Sequence, residues 1–202
     1  MAYTRVTAVP FLLDELGNVV GVKDFNDGQE RLFFFQGEPG DVVLGQTATN
    51  HTQSDMTKGQ AVYISGAQGQ RVAITLAMGD GEVSSARTFG LLAEDIPKNQ
   101  SGLVVTQGLV SGFNTSALTE GQVVWLSATV PGGLTNTRPE TPNHSVFMGV
   151  VVRSHQNQGS VFAKVVNGFE LDELHNVKIT NPQNNDVLKY SSSLGYWINA
   201  QP

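Results

Sequence analysis

A nine-residue motif occurs twice in the chain and restricts the possible folds more than any other feature. Residues 57–65 read TKGQAVYIS, and residues 119–127 read TEGQVVWLS, 62 positions later. Each copy has a glycine turn followed by β-branched and aromatic residues, which is typical of a β-strand that follows a tight turn. The repetition therefore predicts a β-unit that is present twice.

The similarity continues after the motif. Residues 88–108 read TFGLLAEDIPKNQSGLVVTQG, and residues 146–168 read VFMGVVVRSHQNQGSVFAKVVNG. Both stretches contain a glycine inside an apolar run, then a polar turn with Asn and Gln, then another apolar run. This shared order predicts a duplicated unit, either two half-barrels or two small barrels side by side. The alternative is that a β protein has used the same turn chemistry twice by chance.

Short apolar segments separated by Gly, Asn and Pro turns occur along the whole chain. They predict eight strands: RLFFF, QAVYIS, RVAITLA, TFGLLA, LVVTQGLV, QVVWLS, VFMGVVV and SVFAKVV. Such spacing favours an all-β sandwich or barrel. Only FLLDEL and FELDELH have a helical pattern, each of about two turns at most, too short for a helix that is stable alone. The predicted fold is all-β, a duplicated barrel-like or sandwich-like unit with little helix.

Four regions follow from this pattern. Residues 1–44 form an N-terminal β-rich segment that we expect to anchor the protein to a neighbour, residues 45–110 the first β-unit, residues 111–169 the second, and residues 170–202 a C-terminal extension. In the N-terminal region, LFFF at 32–35 predicts a strand that is apolar on both faces. An alternative is that residues 1–40 are the first sheet of a single domain.

The repeated strand is apolar on both faces in each copy. Side chains alternate along a strand, so its two faces carry Val62 with Ile64 and Ala61 with Tyr63 in the first copy, and Val124 with Leu126 and Val123 with Trp125 in the second. An apolar face needs a cover. That cover is either another sheet of the same chain or a partner subunit.

Composition narrows the class of partner. Charged residues make up 15% of the chain, the net charge is −6, and Lys and Arg are scattered singly. This pattern does not predict nucleic-acid binding. The chain has no cysteine, so no disulfide contributes to its stability, which fits folding in a reducing cytoplasm. The sequence shows no secretory signal pattern, so it does not predict export. It also has no apolar run of about 20 residues, so it does not predict a membrane span.

The sequence predicts no catalytic, cofactor-binding or metal-binding residues. The four histidines, His51, His144, His155 and His175, lack the spacing of a metal site. Two acidic pairs, Glu94 with Asp95 and Asp24 with Asp27, could serve a glycosidase, but such pairs are common on loops. DFNDG is better explained by an Asx-turn than by a calcium loop. The Asn-X-Ser/Thr triplets at Asn50, Asn114 and Asn143 carry no meaning without secretion.

Several of these segments together resemble a module of bacteriophage virion proteins, above all tail fibres and related appendages. The most specific are GLVSGFNTSALTEGQVVWLS, PGGLTNTRPETPNHSVFMG and ELHNVKITNPQNNDVLKY, and the resemblance covers residues 45–200. It implies a non-enzymatic structural protein that binds capsid or tail proteins and forms a homotrimer. It also implies assembly into the virion in the host bacterial cytoplasm, as a capsid decoration or head-fibre protein, a short tail fibre or an adaptor.

Two other functions stay open from the sequence. A carbohydrate-binding module that recognises a host surface glycan would use exposed aromatic residues such as Tyr63, Trp125 or Trp197. A glycan-degrading enzyme of the tailspike type would use Glu94 or Asp95.

Overall fold

The structure, a computed structural model, describes residues 43–168 and 170–202, together with the backbone of three strands within residues 11–34. The chain divides into two compact units, Met1–Val166 and Asn167–Pro202. The described elements are almost all strands, which confirms the predicted all-β class. No helix among them has the length and apolarity to cross a bilayer.

Three N-terminal strands form an antiparallel sheet in sequence order. They are β1 (Phe11–Leu13), β2 (Val19–Asp24) and β3 (Arg31–Phe34). The prediction of a helix at FLLDEL is wrong for its first three residues, because the backbone of β1 pairs with β2, with Phe11 opposite Val22. The predicted two-faced burial of LFFF and the anchoring role of residues 1–44 concern side chains outside the described residues.

The main sheet contains nine strands. They are β4 (Leu44–Asn50), β5 (Ala61–Gln68), β6 (Arg71–Leu76), β7 (Thr88–Leu92), β8 (Ser101–Phe113), β9 (Val123–Leu126), β10 (Leu134–Thr135), β11 (Val146–Arg153) and β12 (Gly159–Asn167). All eight predicted strands are present, the first as β3. A five-residue helix, α1 (Glu82–Ala86), was not predicted, because one turn is too short to show a helical period.

Five of these strands close into a barrel in the order β8-β4-β6-β5-β7. The barrel closes because β7 pairs with β8, with Leu91 opposite Val105. Its interior is filled by one apolar cluster, whose buried members are Ala48, Met56, Val62, Ile74, Leu92, Ile96 and Val104. On β5, Val62 and Ile64 therefore point into the barrel, and Ala61 and Tyr63 point out of it.

Strand β8 belongs to the barrel and also to the sheet that follows it. At 13 residues it is the longest of the nine, and the middle residue Gln107 lies opposite Leu44 of β4 on one edge and Lys164 of β12 on the other. Beyond β12 the sheet continues through β11 and β9 to β10. The predicted boundary at residues 110 and 111 lies inside this shared strand.

A second apolar cluster joins the outer wall of the barrel to the strands that follow. Ala61, Leu91 and Val105 point out of the barrel and are fully buried. They pack in one cluster with residues of β9, β11 and β12, among them Val124, Leu126, Val146, Met148, Val151 and Val161. Both Ala61 and Val62 are fully buried, so the start of β5 is covered on both faces by its own chain.

The two copies of the motif pair with their neighbours in the same register. The opposed residues are Ala61 and Leu91, Val62 and Gly90, and Tyr63 and Thr88 in the first copy, and Val123 and Val150, Val124 and Gly149, and Trp125 and Phe147 in the second. In both, the ladder skips one residue just before the glycine, Phe89 in the first and Met148 in the second. Val62 and Val124 thus have equivalent pairing partners. That a duplication produced this agreement stays a prediction.

The C-terminal unit is a small sheet. It contains a 3-10 turn (Leu171–Glu173) and the strands β13 (Val177–Lys178), β14 (Val187–Ser191) and β15 (Tyr196–Ala200), in the order β13-β15-β14. β15 pairs antiparallel with β14 and parallel with β13. Within the described residues, the helical pattern of FELDELH amounts to this single 3-10 turn.

Candidate interaction surfaces

The acidic residues considered as a catalytic pair hold loops in place. The Glu94 carboxylate accepts a hydrogen bond from the backbone N–H of Leu103 at 2.7 Å, and the Asp95 carboxylate accepts one from the backbone N–H of Lys58 at 2.8 Å. These bonds tie the turn after β7 to the start of β8 and to the turn before β5. Of the other pair, Asp24 lies in β2 and Asp27 lies outside the described residues.

The histidines also act locally. The Nδ1 atom of His155 accepts hydrogen bonds from the backbone N–H groups of Asn157 and Gln158, each at 3.0 Å, and so closes the turn before β12. The Nδ1 atom of His144 lies 3.6 Å from the Glu82 carboxylate. Within residues 43–168 and 170–202, no group of three or more His, Cys, Asp or Glu side chains could hold a metal ion.

Two of the Asn-X-Ser/Thr triplets form the same turn at equivalent places. The Asn50 side-chain oxygen accepts hydrogen bonds from the backbone N–H and the hydroxyl of Thr52, and the Asn114 oxygen does the same with Ser116. Asn50 is fully buried, and its amide also donates to the carbonyls of Ser54 and Ile96. This buried Asn ends β4 and stabilises one end of the barrel.

The outward face of the second sheet is a candidate interaction surface. Because Val124, Leu126 and Val161 point toward the shared cluster, their neighbours point to the opposite side. We name this side the outer face and define it by Val123, Trp125, Phe147, Val150 and Phe162. Val123 is 38% exposed and Phe162 is 41% exposed, so apolar area lies open to solvent in the middle of a sheet. Clustered apolar area of this kind marks a contact surface more often than isolated exposed residues do.

Two cations border the outer face. The guanidinium carbon of Arg138 lies 5.2 Å from the centre of the Trp125 ring, and its Nε donates a hydrogen bond to Ser145. Lys164 follows Phe162 on the same side of β12 and is exposed. The Phe147 and Trp125 rings meet in a T-shaped arrangement, with ring centres 5.7 Å apart. Arg138 therefore occupies one side of the half-buried Trp125 ring.

The C-terminal unit exposes a large share of its apolar side chains. No described residue of this unit is buried, although its 36 residues include strands on either side of a central one. Its exposed large apolar side chains are Leu171, Leu174, Val187, Leu188, Tyr190, Leu194 and Trp197. Tyr190 and Trp197 lie opposite each other on β14 and β15, with ring centres 5.6 Å apart.

A polar cluster at one end of this small sheet fixes the strand ends. The pKa of Asp186 is lowered, first because its carboxylate accepts a hydrogen bond from the backbone N–H of Gln183, and then because the amide groups of Asn199 and Gln201 donate to it. Asn199 also bonds both backbone groups of Thr180. These polar atoms are engaged within the unit, so they position strands and do not point at a ligand.

A shallow depression of about 470 Å³ lies where β5 and β7 meet, lined by Ile64, Gly66, Arg87, Thr88 and Phe89. The Thr88 hydroxyl there donates to the carbonyl of Ser85 at 2.6 Å.

Neither a protein-family model nor a curated protein matches the chain. Of the three aromatic residues that the sequence analysis named as exposed, Trp197 is exposed, whereas Tyr63 and Trp125 are half-buried. The sequence analysis missed Tyr190 and Phe162, which alternate with buried or polar residues and stand out only once the strand register is known.

Proposed function

We propose that this protein is a non-enzymatic structural component of a bacteriophage particle, located on the virion surface as a capsid decoration or head-fibre protein or as a short tail fibre or adaptor. It assembles as a homotrimer in the host cytoplasm and binds other virion proteins. The outer face is the observation that carries the proposal, because a well-packed β-unit that leaves aromatic area open in mid-sheet needs a protein neighbour. The sequence resemblance to phage appendage modules supplies the identity of that neighbour.

The composition of the outer face suits contact with another protein. Its centre is aromatic and β-branched, and charges lie at its border in Arg138 and Lys164. Protein interfaces have the same arrangement, with few charged residues at the core and aromatic residues and arginine enriched. Residues 1–44, in this proposal, attach the protein to the particle.

Immunogold electron microscopy tests the location directly. Phage particles from an infected-cell lysate are labelled with an antibody raised against this chain. Label over the head supports a decoration or head-fibre protein, and label at the tail supports a fibre or adaptor. Purified particles that carry the protein at neither place would contradict the proposal.

Incorporation of variants tests the outer face. Phe162→Asp places a charge in the centre of this face, and we expect particles to incorporate at least 10-fold less of it than of the unmodified chain. Val83→Asp is the matched control, because Val83 is also an exposed apolar residue, 56% exposed, but lies on α1. Equal incorporation of both variants would show that the outer face makes no contact on the particle.

A carbohydrate-binding function is the second candidate, and the exposed pair Tyr190 and Trp197 favours it. Aromatic rings on a sheet surface can bind sugars, and both rings here are more than 40% exposed. If this function holds, Trp197→Ala abolishes retention of the protein on host polysaccharide while its melting temperature stays unchanged. Retention that is equal for both forms, or absent from the unmodified protein, would exclude it.

A further inference from the structure

Two further exposed valines lie beside the outer face, on the same side of the sheet. Val152 and Val166 point to this side because their neighbours Val151 and Val165 pack on the shared apolar cluster. Four apolar residues on this side of the sheet are therefore between 38% and 51% exposed, namely Val123, Val152, Phe162 and Val166.

The apolar area on this side is large enough for the centre of an interface. A stable interface covers about 800 Å² on each partner, and somewhat more than half of that, about 450 Å², is apolar. At roughly 150–200 Å² for a fully exposed side chain, the four exposed residues present about 300 Å². The half-buried rings of Trp125 and Phe147 add to this area.

The charges at the border of the outer face determine what can cover it. Arg138 and Lys164 lie at this border, and none of the five residues that define the face is acidic. Two outer faces packed against each other would bring the cations of both copies together, which is unfavourable. The outer face therefore fits a surface on which apolar side chains lie beside carboxylates.

The C-terminal unit carries a segment with this chemistry. Residues 170–174 read ELDEL, and we name them the ELDEL segment. Residues three apart in a 3-10 turn lie on the same side, so Leu171 lies beside Leu174, the residue that follows the turn. Both leucines are exposed. The exposed acidic residues around them are Glu170, Asp172 and Glu173.

We propose that the outer face of one copy binds the ELDEL segment of the next copy, with the leucines on its apolar side chains and the carboxylates near Arg138 and Lys164. The two surfaces differ, so the contact is heterologous, and such contacts between identical chains form a ring when the rotation closes. A ring of three is the proposed homotrimer. The inference rests on that part of the proposed function and does not depend on the virion location.

Val83 is another exposed apolar residue with acidic neighbours, but its neighbours are engaged locally. Asp80 accepts a hydrogen bond from the hydroxyl of Ser84, and the Glu82 carboxylate lies 3.6 Å from the Nδ1 atom of His144. Neither of the residues three and four positions after Val83 is a large apolar residue. Val83 is therefore a suitable control position.

Mixtures of single-cysteine variants of the full chain test the contact between copies, because the unmodified chain has no cysteine. On oxidation, we expect a mixture of Phe162→Cys and Leu171→Cys chains to form covalent dimers of twice 21.6 kDa, and either variant alone to form few. In the matched control, Val83→Cys on α1 replaces Phe162→Cys. A dimer yield that is equal for the two mixtures, or equal for the first mixture and Leu171→Cys alone, would overturn the proposal.

Exchanging charges across the contact supplies a second measurement. By light scattering after size exclusion, we expect the unmodified chain to have three times 21.6 kDa. Lys164→Asp and Asp172→Lys should each weaken association about 10-fold, because each brings like charges together, and both changes in one chain should restore most of it. A monomeric unmodified chain at a concentration of about 100 μM, the upper end of the range in which weak complexes form, would overturn the proposal. Single variants that associate as tightly as the unmodified chain would do the same. Immunogold labelling tests the virion location independently of either result.

Discussion

At the scale of single residues, the glycines inside the apolar runs show what a sequence can and cannot predict. The sequence marks Gly90 and Gly149 as corresponding positions, since each interrupts an apolar run after a copy of the motif. The sequence does not reveal why glycine is needed at these two positions. In the structure, a Cβ at either position would collide with a backbone carbonyl of the next strand, that of Val105 or that of Phe162. Only the three-dimensional register brings that carbonyl close.

The first prediction concerns Gly149, which has φ +145 in addition to this close approach. Gly149→Ala is expected to lower the free energy of unfolding by at least about 2 kcal/mol, because the new methyl group meets backbone and the conformation is unfavourable for an L-residue. Urea unfolding followed by circular dichroism measures this. Gly66→Ala is the control, since a Cβ there meets nothing within 4 Å. Equal midpoints for the two variants would contradict the observed pairing of β11 with β12.

The second prediction compares the two asparagines that form the repeated turn. Asn50→Ala leaves the buried carbonyl of Ile96 without its side-chain donor and removes the bonds to Thr52. We expect a loss of about 2–4 kcal/mol in the free energy of unfolding. Asn114 is exposed, and among the described residues its side chain bonds only to Ser116. Asn114→Ala should therefore cost about 1 kcal/mol or less. Thermal denaturation of both variants tests the difference, and a larger loss at Asn114 would refute it.

At the scale of elements, the strands of the main sheet that have an apolar pattern were predicted, whereas its polar or very short strands were not. The two five-residue strands of the C-terminal unit, β14 and β15, were also missed. β5, β7, β9 and β11 are rich in β-branched and aromatic residues, and each was predicted. β4 reads LGQTATN, whose polar residues give no strand pattern, although its final residues face the barrel interior. β10 and β13 have two residues each, too few for alternation to be visible. Their positions depend on pairing with distant strands.

The third prediction concerns acid and the C-terminal sheet. The pKa of Asp186 in the folded protein lies below the ordinary value of an aspartate, because the carboxylate accepts hydrogen bonds from the backbone N–H of Gln183 and from the side-chain amide of Asn199. Its stabilising effect is therefore complete above about pH 4 and is lost as the pH falls through the lowered pKa. In a Trp125→Phe background, Trp197 fluorescence should change in a step below pH 4. Asp186→Asn should remove that step, and a step of unchanged size would show that Asp186 does not cause it.

At the scale of the whole molecule, the sequence predicted two similar β-units but not how they are joined. The structure shows that side-chain packing joins the two parts. The structure has one closed barrel and a second sheet that shares β8 with it, and one cluster contains residues from both. The face of β9 formed by Val124 and Leu126 is covered by the outer wall of the barrel. The strand pattern indicated that this apolar face of β9 had to be buried. It did not indicate whether the barrel of the same chain or a partner subunit would bury it.

The fourth prediction follows from the shared cluster. Leu126→Ala removes a fully buried side chain at the junction, and we expect a loss of about 2–5 kcal/mol. Because the cluster joins both parts, circular dichroism and Trp125 fluorescence, measured in a Trp197→Phe background, should report one transition that shifts as a whole. Val130→Ala is the exposed control and should change the free energy by less than about 0.5 kcal/mol. Separate transitions for the two signals would show that the parts unfold independently.

The shared strand gives the main sheet a direction of growth. β8 is the last strand of the barrel and the first strand of the sheet that follows. If the two parts are copies of one unit, the second needs only four strands of its own and takes its fifth from the first. The same rule applied once more would make β12 the starting strand of a third unit. Such a unit would then add four strands and pair with β12, as β9 to β12 follow β8 in the present sheet.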